Sequence, residues 1–553
     1  MATPHLSRRR FLGGASLGLA AAAFGGPLLS ACSSSPSAGG AAGPAVSLPT
    51  YVPFEGPTPD LAGDVLKGIN PGYFQYPIDR LVKTVDGEVG SGGELSAFVV
   101  SFSPPPPGVS QNAYWQAINE SLNVDFKPTL VPEDFATKLA AILTGGDIPD
   151  LVTMYKSDAN GLRRFEDLAR ERFADLSDHL SGDAVKDYPN LARLPEDSWP
   201  LTLIGGRIYA TPTLRIPTGS VGFFQPSVLD KYGANPNPRT PDEFEEMCKA
   251  FTDPGANRYA LAGAPSAGGA PGWMAGSIFH PMFGVPYDWR LEDDGALTKD
   301  FETEEWTEAV AYVKKLWDGG YFHPDSPSEG FDADPLFTNG SVALRQDSIV
   351  RYAVRNDDGL KPDIMPVYGP DGTPTAYEGA RTDFVTYIKK ADDERVQECL
   401  RVLNWLSAPY GSEENYLRSY GVEGVDHTVE AGQPVITARG EAEVNPLCLR
   451  FIAGGPDVLS SSSNDRRLVE QMHQFQSEVS ASRVKDPTEG LYSEAAIAGA
   501  SEAQKVYDVQ NDVILGRKDL SELGDVVASW RKSVGDKIRD EYLKGIEERE
   551  MVS

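Results

Sequence analysis

Cysteine is scarce in this chain. There are four in 553 residues, at Cys32, Cys248, Cys399 and Cys448. Their spacing builds neither a zinc ribbon nor a disulfide-dense scaffold. The last three fit either one disulfide with one free thiol or three buried thiols. Histidine is nearly as rare, with six residues and neither a His-Glu-x-x-His motif nor a Cys/His cluster, which argues against catalytic zinc. No Gly-x-x-x-x-Gly-Lys loop is present to cradle a phosphate. The single Gly-x-Ser-x-Gly, Gly14 to Gly18, lies in an apolar N-terminal run and is a chance match rather than a nucleophile elbow. Positive charge is also short: 50 Lys and Arg stand against 80 Asp and Glu, a net charge of −30. Phosphate backbones and anionic lipid repel such a chain, which argues against nucleic-acid binding. The same charge disfavours a polyanionic ligand unless basic residues cluster locally. Beyond residue 32 no apolar run reaches the roughly 18 residues that a bilayer span requires.

The first 32 residues are the most distinctive segment. Ser7-Arg8-Arg9-Arg10-Phe11-Leu12 is a twin-arginine start, an Ala/Gly-rich apolar run follows to Leu29, and Leu29-Ser30-Ala31-Cys32 closes it with small residues before a cysteine. A charged start, a short apolar stretch and a small-residue cleavage site describe a secretory signal rather than a membrane span. The segment resembles a bacterial lipoprotein signal. The resemblance implies export in a folded state through Arg8 and Arg9, cleavage before Cys32, acylation of its sulfur, and an extracytoplasmic protein anchored to the cell membrane. The alternatives are a non-lipidated signal peptide or an amphipathic helix. About 520 residues then remain, enough for two to four domain-sized cores.

Residues 33 to about 50 are Ser, Gly, Ala and Pro without charge and read as a flexible tether; residues 51–93 read as an irregular extension with no assignable task. Alternation begins at Glu94. Strands are expected at Leu95–Phe102, Val124–Val131 and Ile148–Val152, and helices at 112–121 and 133–144. This order implies a parallel sheet with covered faces. Thr240-Pro241-Asp242-Glu243 is a helix start in which Thr240 caps and Glu243 reaches back to the cap's N–H. Trp306, Val310, Val313 and Trp317 mark one amphipathic helix. Leu523, Val527, Trp530, Val534 and Ile538 mark another, expected to stop near Gly545.

Several segments together resemble extracellular solute-binding proteins of ABC importers, in the sugar and oligosaccharide group. They are Phe135–Leu139 running to Gly146-Asp147-Ile148-Pro149-Asp150-Leu151-Val152; Gly206–Pro212; Phe223–Gly233 with Thr240–Phe244; and Phe337–Leu344. Tyr420–Asp426 and the ending from Gly516 through Trp530 to Tyr542 resemble the branch of large oligosaccharide-binding lipoproteins. One departure stands out. Thr252–Tyr259, where some relatives carry a calcium loop, keeps Asp253 and Asn257 but has too few carboxylates for a cage of six to eight oxygens, so no metal is expected.

The resemblance implies an α/β, two-lobed, type II periplasmic-binding-protein-like fold, each lobe a mostly parallel sheet flanked by helices, with the ligand cleft between lobes. Expected boundaries are 1–31 signal peptide, 32–93 tether and extension, 94–217 with 376–430 for lobe 1, and 218–375 with 431–553 for lobe 2. Crossings are expected near Arg215–Ser220 and Thr375–Arg381, with a third near residue 430. Hinge closure over a solute follows. Sugars offer apolar C–H faces to aromatic rings and hydroxyls to polar side chains. The candidate ligand-binding residues are Tyr155 after its strand, Trp273 and Trp289 in a Gly/Pro-rich region, Arg345 and Asp347, Tyr377 and Arg381 at the second crossing, and Tyr420 and Glu423 in the branch signature. Each has a structural alternative as a core or fold-holding residue. The expected function is a lipid-anchored, monomeric, cofactor-free binder that delivers an oligosaccharide or other small solute to an ABC permease and does no chemistry. A glycan-degrading enzyme, which needs two flanking carboxylates, and a sensor lipoprotein without a transporter are the alternatives.

Overall fold

Eight strands organise two sheets: β1 (Glu94–Val100), β2 (Asp125–Val131), β3 (Leu151–Tyr155), β4 (Ala210–Leu214), β5 (Ser220–Phe224), β6 (Leu344–Ser348), β7 (Asp363–Met365) and β8 (Thr382–Ile388). In this computed structural model the described residues are 46–155, 158, 162, 164–218, 220–263, 278–328, 331–349, 361–379, 381–461 and 465–550. The chain divides into two units, Met1–Ala41 and Ala42–Ser553. The first lies outside the described residues, and with it Arg8, Arg9 and Cys32.

The first sheet has the order β2-β1-β3-β8-β4. β1 is parallel to β2 and β3; β8 runs antiparallel between β3 and β4, with Val385 opposite both Met154 and Pro212. Both faces are covered. Leu95, Ala97 and Val99 pack with Tyr114, Ile118 and Leu122 of α1 (Ala113–Leu122), whereas Phe98 packs with Leu139 and Leu143 of α2 (Phe135–Gly145). The two-residue alternation of a strand sends successive apolar side chains into opposite cores, so the second half of β1, Ala97–Val100, reads as one apolar run.

The second sheet differs from the mostly parallel arrangement expected. β5 is antiparallel to both neighbours in the order β6-β5-β7. Parallel bridges among the described residues lie beyond β6, where Tyr259 bridges Val342 and Leu261 bridges Phe322. The chain from β5 to β6 runs through several helices, yet β6 returns against β5, so helix-strand alternation does not by itself set strand direction in this sheet. Around this sheet α3 (Pro241–Phe251) and α4 (Glu304–Asp318) bury Phe244, Phe251, Trp306, Val310 and Val313 in one core. Thr240 caps α3 as expected, its Oγ accepting from the Glu243 N–H at 3.2 Å. The Glu243 carboxylate instead takes the Arg239 N–H, one residue earlier than expected.

Crossing segments leave from one end of the first sheet. Residues 215–218 and 376–381 lie side by side: the Arg215 N–H donates to Arg381 O (2.7 Å) and the Gly379 N–H to Pro217 O (2.8 Å). Val484 joins them by exchanging bonds with Ala376 and Glu378. The third crossing is not near residue 430. His427–Glu430 and Gln433–Ile436 form a hairpin whose turn, Ala431-Gly432, has positive φ at both residues and turns the chain back on itself. Val444, Leu447, Leu449, Ile452 and Ala453 then pack in the first sheet's core, so lobe 1 does not end at residue 430. The chain crosses instead over 453–460, with Leu459 bonded to Pro71 and Tyr73, and α5 (Arg466–Val479) packs on the second sheet.

The extension, from Val46 onward, packs on both sheets. Val46 and Val52 pack against the first sheet's core, while Leu61 and Phe74 pack against the second sheet's. The last amphipathic stretch is α6 (Glu522–Trp530), a π-turn over Arg531–Gly535 and α7 (Asp536–Glu550). It runs through Gly545 rather than stopping there, because a side chain at 545 would meet Leu491 at 3.0 Å and glycine lets the two approach.

Candidate functional site

Four aromatic rings converge at the end of the first sheet from which the crossings leave. Tyr155 ends β3 and lies on Phe384 of β8, with centroids 4.2 Å apart; Phe384 meets Phe451 at 4.9 Å; Phe102, just beyond β1, meets Phe451 at 5.4 Å and Tyr155 at 6.4 Å. Phe384 forms the buried floor, Tyr155 and Phe451 are half-buried, and Phe102 is 62% exposed. β8 is antiparallel to β3, so its early residue Phe384 falls opposite Tyr155 at the carboxyl end of β3, where open α/β sheets hold ligands.

Polar groups edge this platform. Asp158 accepts from the Tyr155 N–H at 3.2 Å, and burial raises its carboxyl's pKa. Arg450 stacks over the Phe451 ring at 4.7 Å. Behind it Arg418 donates to Leu406 O (2.6 Å) and Ala453 O (2.9 Å). Burial pushes the Asp457 carboxyl up to about 6, with Arg418 and Arg215 pulling against that rise. Stacking faces and hydrogen-bonding rims together suit a molecule with apolar C–H faces and a polar edge.

The match to a family description settles the framework. It is "bacterial extracellular solute-binding protein", over residues 113–433, more than half of the chain. The chain belongs to this solute-binding family. Among curated relatives, the polygalacturonan/rhamnogalacturonan-binding protein YtcQ of Bacillus subtilis (strain 168) is 24% identical over 455 residues, covering 79% of this chain and 88% of its own. Lipoprotein LipO of the same strain is 24% identical over 495 residues, covering 84% and 94%. Among solved structures, the S. pneumoniae ABC-transporter substrate-binding protein FusA in complex with kestose is similar at a TM-score of 0.60 and 14% identity, covering 83% of this chain and 100% of that one. An HMO-binding, ABC-transporter-associated solute-binding protein from Bifidobacterium longum infantis gives 0.60, 15%, 84% and 99%. These likenesses show the two-lobed α/β fold of solute-binding proteins.

Of the residues that the sequence proposes for the solute-binding site, Tyr155 stands in the platform and Trp273 lies outside the described residues. The others are differently engaged. Trp289 is core: it is 2% exposed, packed on Trp530 and Tyr542. Tyr377 is buried, its hydroxyl donating to Val285 O at 2.8 Å and its ring stacked on Tyr287. Arg381 is buried against Asp197 at 2.8 Å. Arg345 and Asp347 lie on β6, where Asp347 pairs in register with Val221 near the second sheet's crossing end, but Arg345 is held by Asp334 (2.6 Å) and Asp347 (2.7 Å). Tyr420 packs edge-on to Tyr76 and accepts from His427 through its carbonyl; Glu423 is an exposed loop residue bridged to His427. Tyr377 and Arg381, at the second crossing, have a backbone carbonyl and an ion partner to satisfy there first. The Thr252–Tyr259 loop is likewise filled from within: Arg258 faces Asp253 at 3.4 Å and lies over Tyr232 at 3.8 Å.

Two cavities lie elsewhere. One of about 570 Å³ beside the crossings is lined by Asp197, Glu378, Arg381 and Asp486. Its charges are largely consumed internally, with Arg483 and Lys485 each 3.4 Å from Glu378. The other, about 710 Å³, lies between Phe165, Leu203, Tyr492 and Lys544. Neither contains the aromatic platform. Phe102 could have been found by the rule that finds Tyr155, since it ends the strand expected at Leu95–Phe102. Phe451 and Arg450, on a short helix far along the chain, carry no such signal.

Proposed function

We propose that this chain is the lipid-anchored, solute-capturing component of an ABC importer and that its solute is an oligosaccharide. The observation that carries the reading is the Phe102, Tyr155, Phe384 and Phe451 platform at the crossing end of the first sheet, edged by Asp158 and Arg450. The names of the relatives support it, because they describe binders of polygalacturonan, kestose and HMO. Tyr155 contacts the solute, and Trp273 remains a candidate for the second lobe's side. Closure bends the paired crossings 215–218 and 376–381 and brings the second sheet's crossing end over the platform. Cys32, acylated after export directed by Arg8 and Arg9, keeps the monomer near its permease and raises its effective concentration there. The protein performs no chemistry on the sugar.

Incubating the purified protein with a panel of oligosaccharides tests this. The expected result is a saturable rise in melting temperature without product. Turnover of any oligosaccharide would establish the hydrolase alternative. A Cys32→Ala chain should move from the membrane fraction to the soluble one; an unchanged distribution would refute the anchor. Genes for two membrane permeases beside this one separate transport from sensing.

A further inference from the structure

Residues 46–93 lie outside the family match, which begins at residue 113, yet they pass between the lobes twice. Their first part is fixed to lobe 1: the Val46 N–H donates to Gly206 O (3.1 Å) and the Val52 N–H to Ala192 O (2.7 Å). Residues 61–74 then form a loop, closed on itself by Leu61 and Gly72 and seated on α5 of lobe 2. There the Asn70 N–H donates to Gln476 Oε1 at 2.9 Å and the Gln476 amide to Asn70 Oδ1 at 3.0 Å, while Leu61 and Phe74 join the second sheet's core. Pro71 and Tyr73 of the same loop bond Leu459 of the third crossing. From Tyr76 the extension is back on lobe 1, with the Tyr76 N–H on Gln433 and the Thr84 and Val85 N–H groups on Glu414. The lobes are therefore joined over 53–60 and 74–76 as well as at the crossings.

The tip of the loop reaches the second crossing. The turn Val65–Lys67 presents successive carbonyls to two arginines: Arg381 donates to Leu66 O (3.4 Å) and Arg483 to Lys67 O. Arg381 also pairs with Asp197 at 2.8 Å, and Arg483 lies 3.4 Å from Glu378 of the same crossing. Asp197 belongs to lobe 1 and the loop rides on lobe 2, so Arg381 ties the lobes together at the segment that closure bends. Gly68 ends the turn with φ at 65°, and a side chain there would run into the Arg483 guanidinium, so glycine lets turn and arginine meet. The passage over 53–60 carries Pro53, Pro57 and Pro59, which stiffen it. All of these contacts are made while Phe102 is 62% exposed, with the platform uncovered. Resting on the closure described above, we propose that loop 61–74 is a brace on the hinge, which holds the lobes apart until solute contacts outweigh its bonds to Arg381 and Arg483.

Interlobe distances measured by spin labels, with no solute present, test this. The labels sit on Glu120→Cys of α1 and Glu308→Cys of α4, both exposed, in a Cys32→Ala chain so that only the introduced thiols react. Gly68→Ala pushes the Arg483 guanidinium off Lys67 O. Arg381→Lys keeps a charge facing Asp197 but lacks the second nitrogen that reaches Leu66 O. Each should raise the population at short distance by about threefold over the unmodified protein. Gly87→Ala is the control: its φ is 84° with open space around it, so it carries similar backbone strain away from the hinge and should leave the distribution unchanged. A folded Gly68→Ala or Arg381→Lys protein whose distribution is unshifted, or shifted to longer distances, would overturn the brace. So would an equal shift in Gly87→Ala. Failure of every oligosaccharide in the panel to bind would sink the solute reading, while the solute-free distances still decide the brace.

Discussion

Phe102 separates a binding surface from a core more sharply than any other residue in this protein. A phenylalanine side chain exposes on the order of 200 Å² when free. At 62% exposure, roughly 120 Å² of Phe102 is open to water. A sugar ring laid on one face covers about half of that, roughly 60 Å². At about 25 cal/mol per Å² this contributes about 1.5 kcal/mol, or slightly more than tenfold in Kd. Phe102→Ala should therefore weaken the solute that the panel identifies by about tenfold. Folding stability should change by only about 0.5 kcal/mol, since most of the ring is already wet. Trp289→Ala should do the reverse. Its ring is 2% exposed among Trp530 and Tyr542, and truncation should cost about 3–5 kcal/mol of stability. Isothermal titration paired with urea melts reads both quantities. Unchanged affinity in Phe102→Ala would refute the platform, as would a Trp289→Ala protein of normal stability that no longer binds.

Three further outcomes follow from the geometry. Burial, with Asp288 adding to it, pushes the Asp486 carboxyl from 3.8 up to about 7, and Thr488 donates to it twice. Folding then takes up a proton between those values, so stability present at low pH is lost as pH rises through about 7. Asp486→Asn, which can still accept from Thr488, should gain on the order of 2 kcal/mol at pH 8, half of the full shift because the group is partly exposed, and little at pH 4; equal urea midpoints for the two proteins at pH 8 would contradict this. Ala431 holds φ at 49° in its hairpin turn, so Ala431→Gly should stabilise by about 1 kcal/mol in urea titrations, and a loss would contradict the turn geometry. Cys248, Cys399 and Cys448 are buried and unpaired, and burial pushes the Cys399 thiol up to about 12. A thiol-reactive dye should label none of the three until denaturant is added, and reductant should leave the melting temperature unchanged.

The amino-acid sequence by itself determined the elements that local physics controls. The apolar residues of β1, the Thr240 cap of α3 and the stripe of α4 are written in residues a few positions apart and formed there, although Glu243 takes the Arg239 N–H instead of the cap's own. The strand and helix order from Glu94 likewise led to the parallel β2-β1-β3 core. The place of Tyr155 at the carboxyl end of β3 was legible because a strand's end is a local fact. What only the tertiary structure decided depends on partners distant along the chain. Phe451 reaches Phe102 and Phe384 because residues 438–453 return to the first core after the Ala431-Gly432 turn, and nothing near 451 announces that return. Trp289, Tyr377 and Arg381 are engaged by Trp530, Val285 and Asp197, all remote in sequence. Composition can supply an aromatic ring or a charge, but its function depends on which buried groups claim it first.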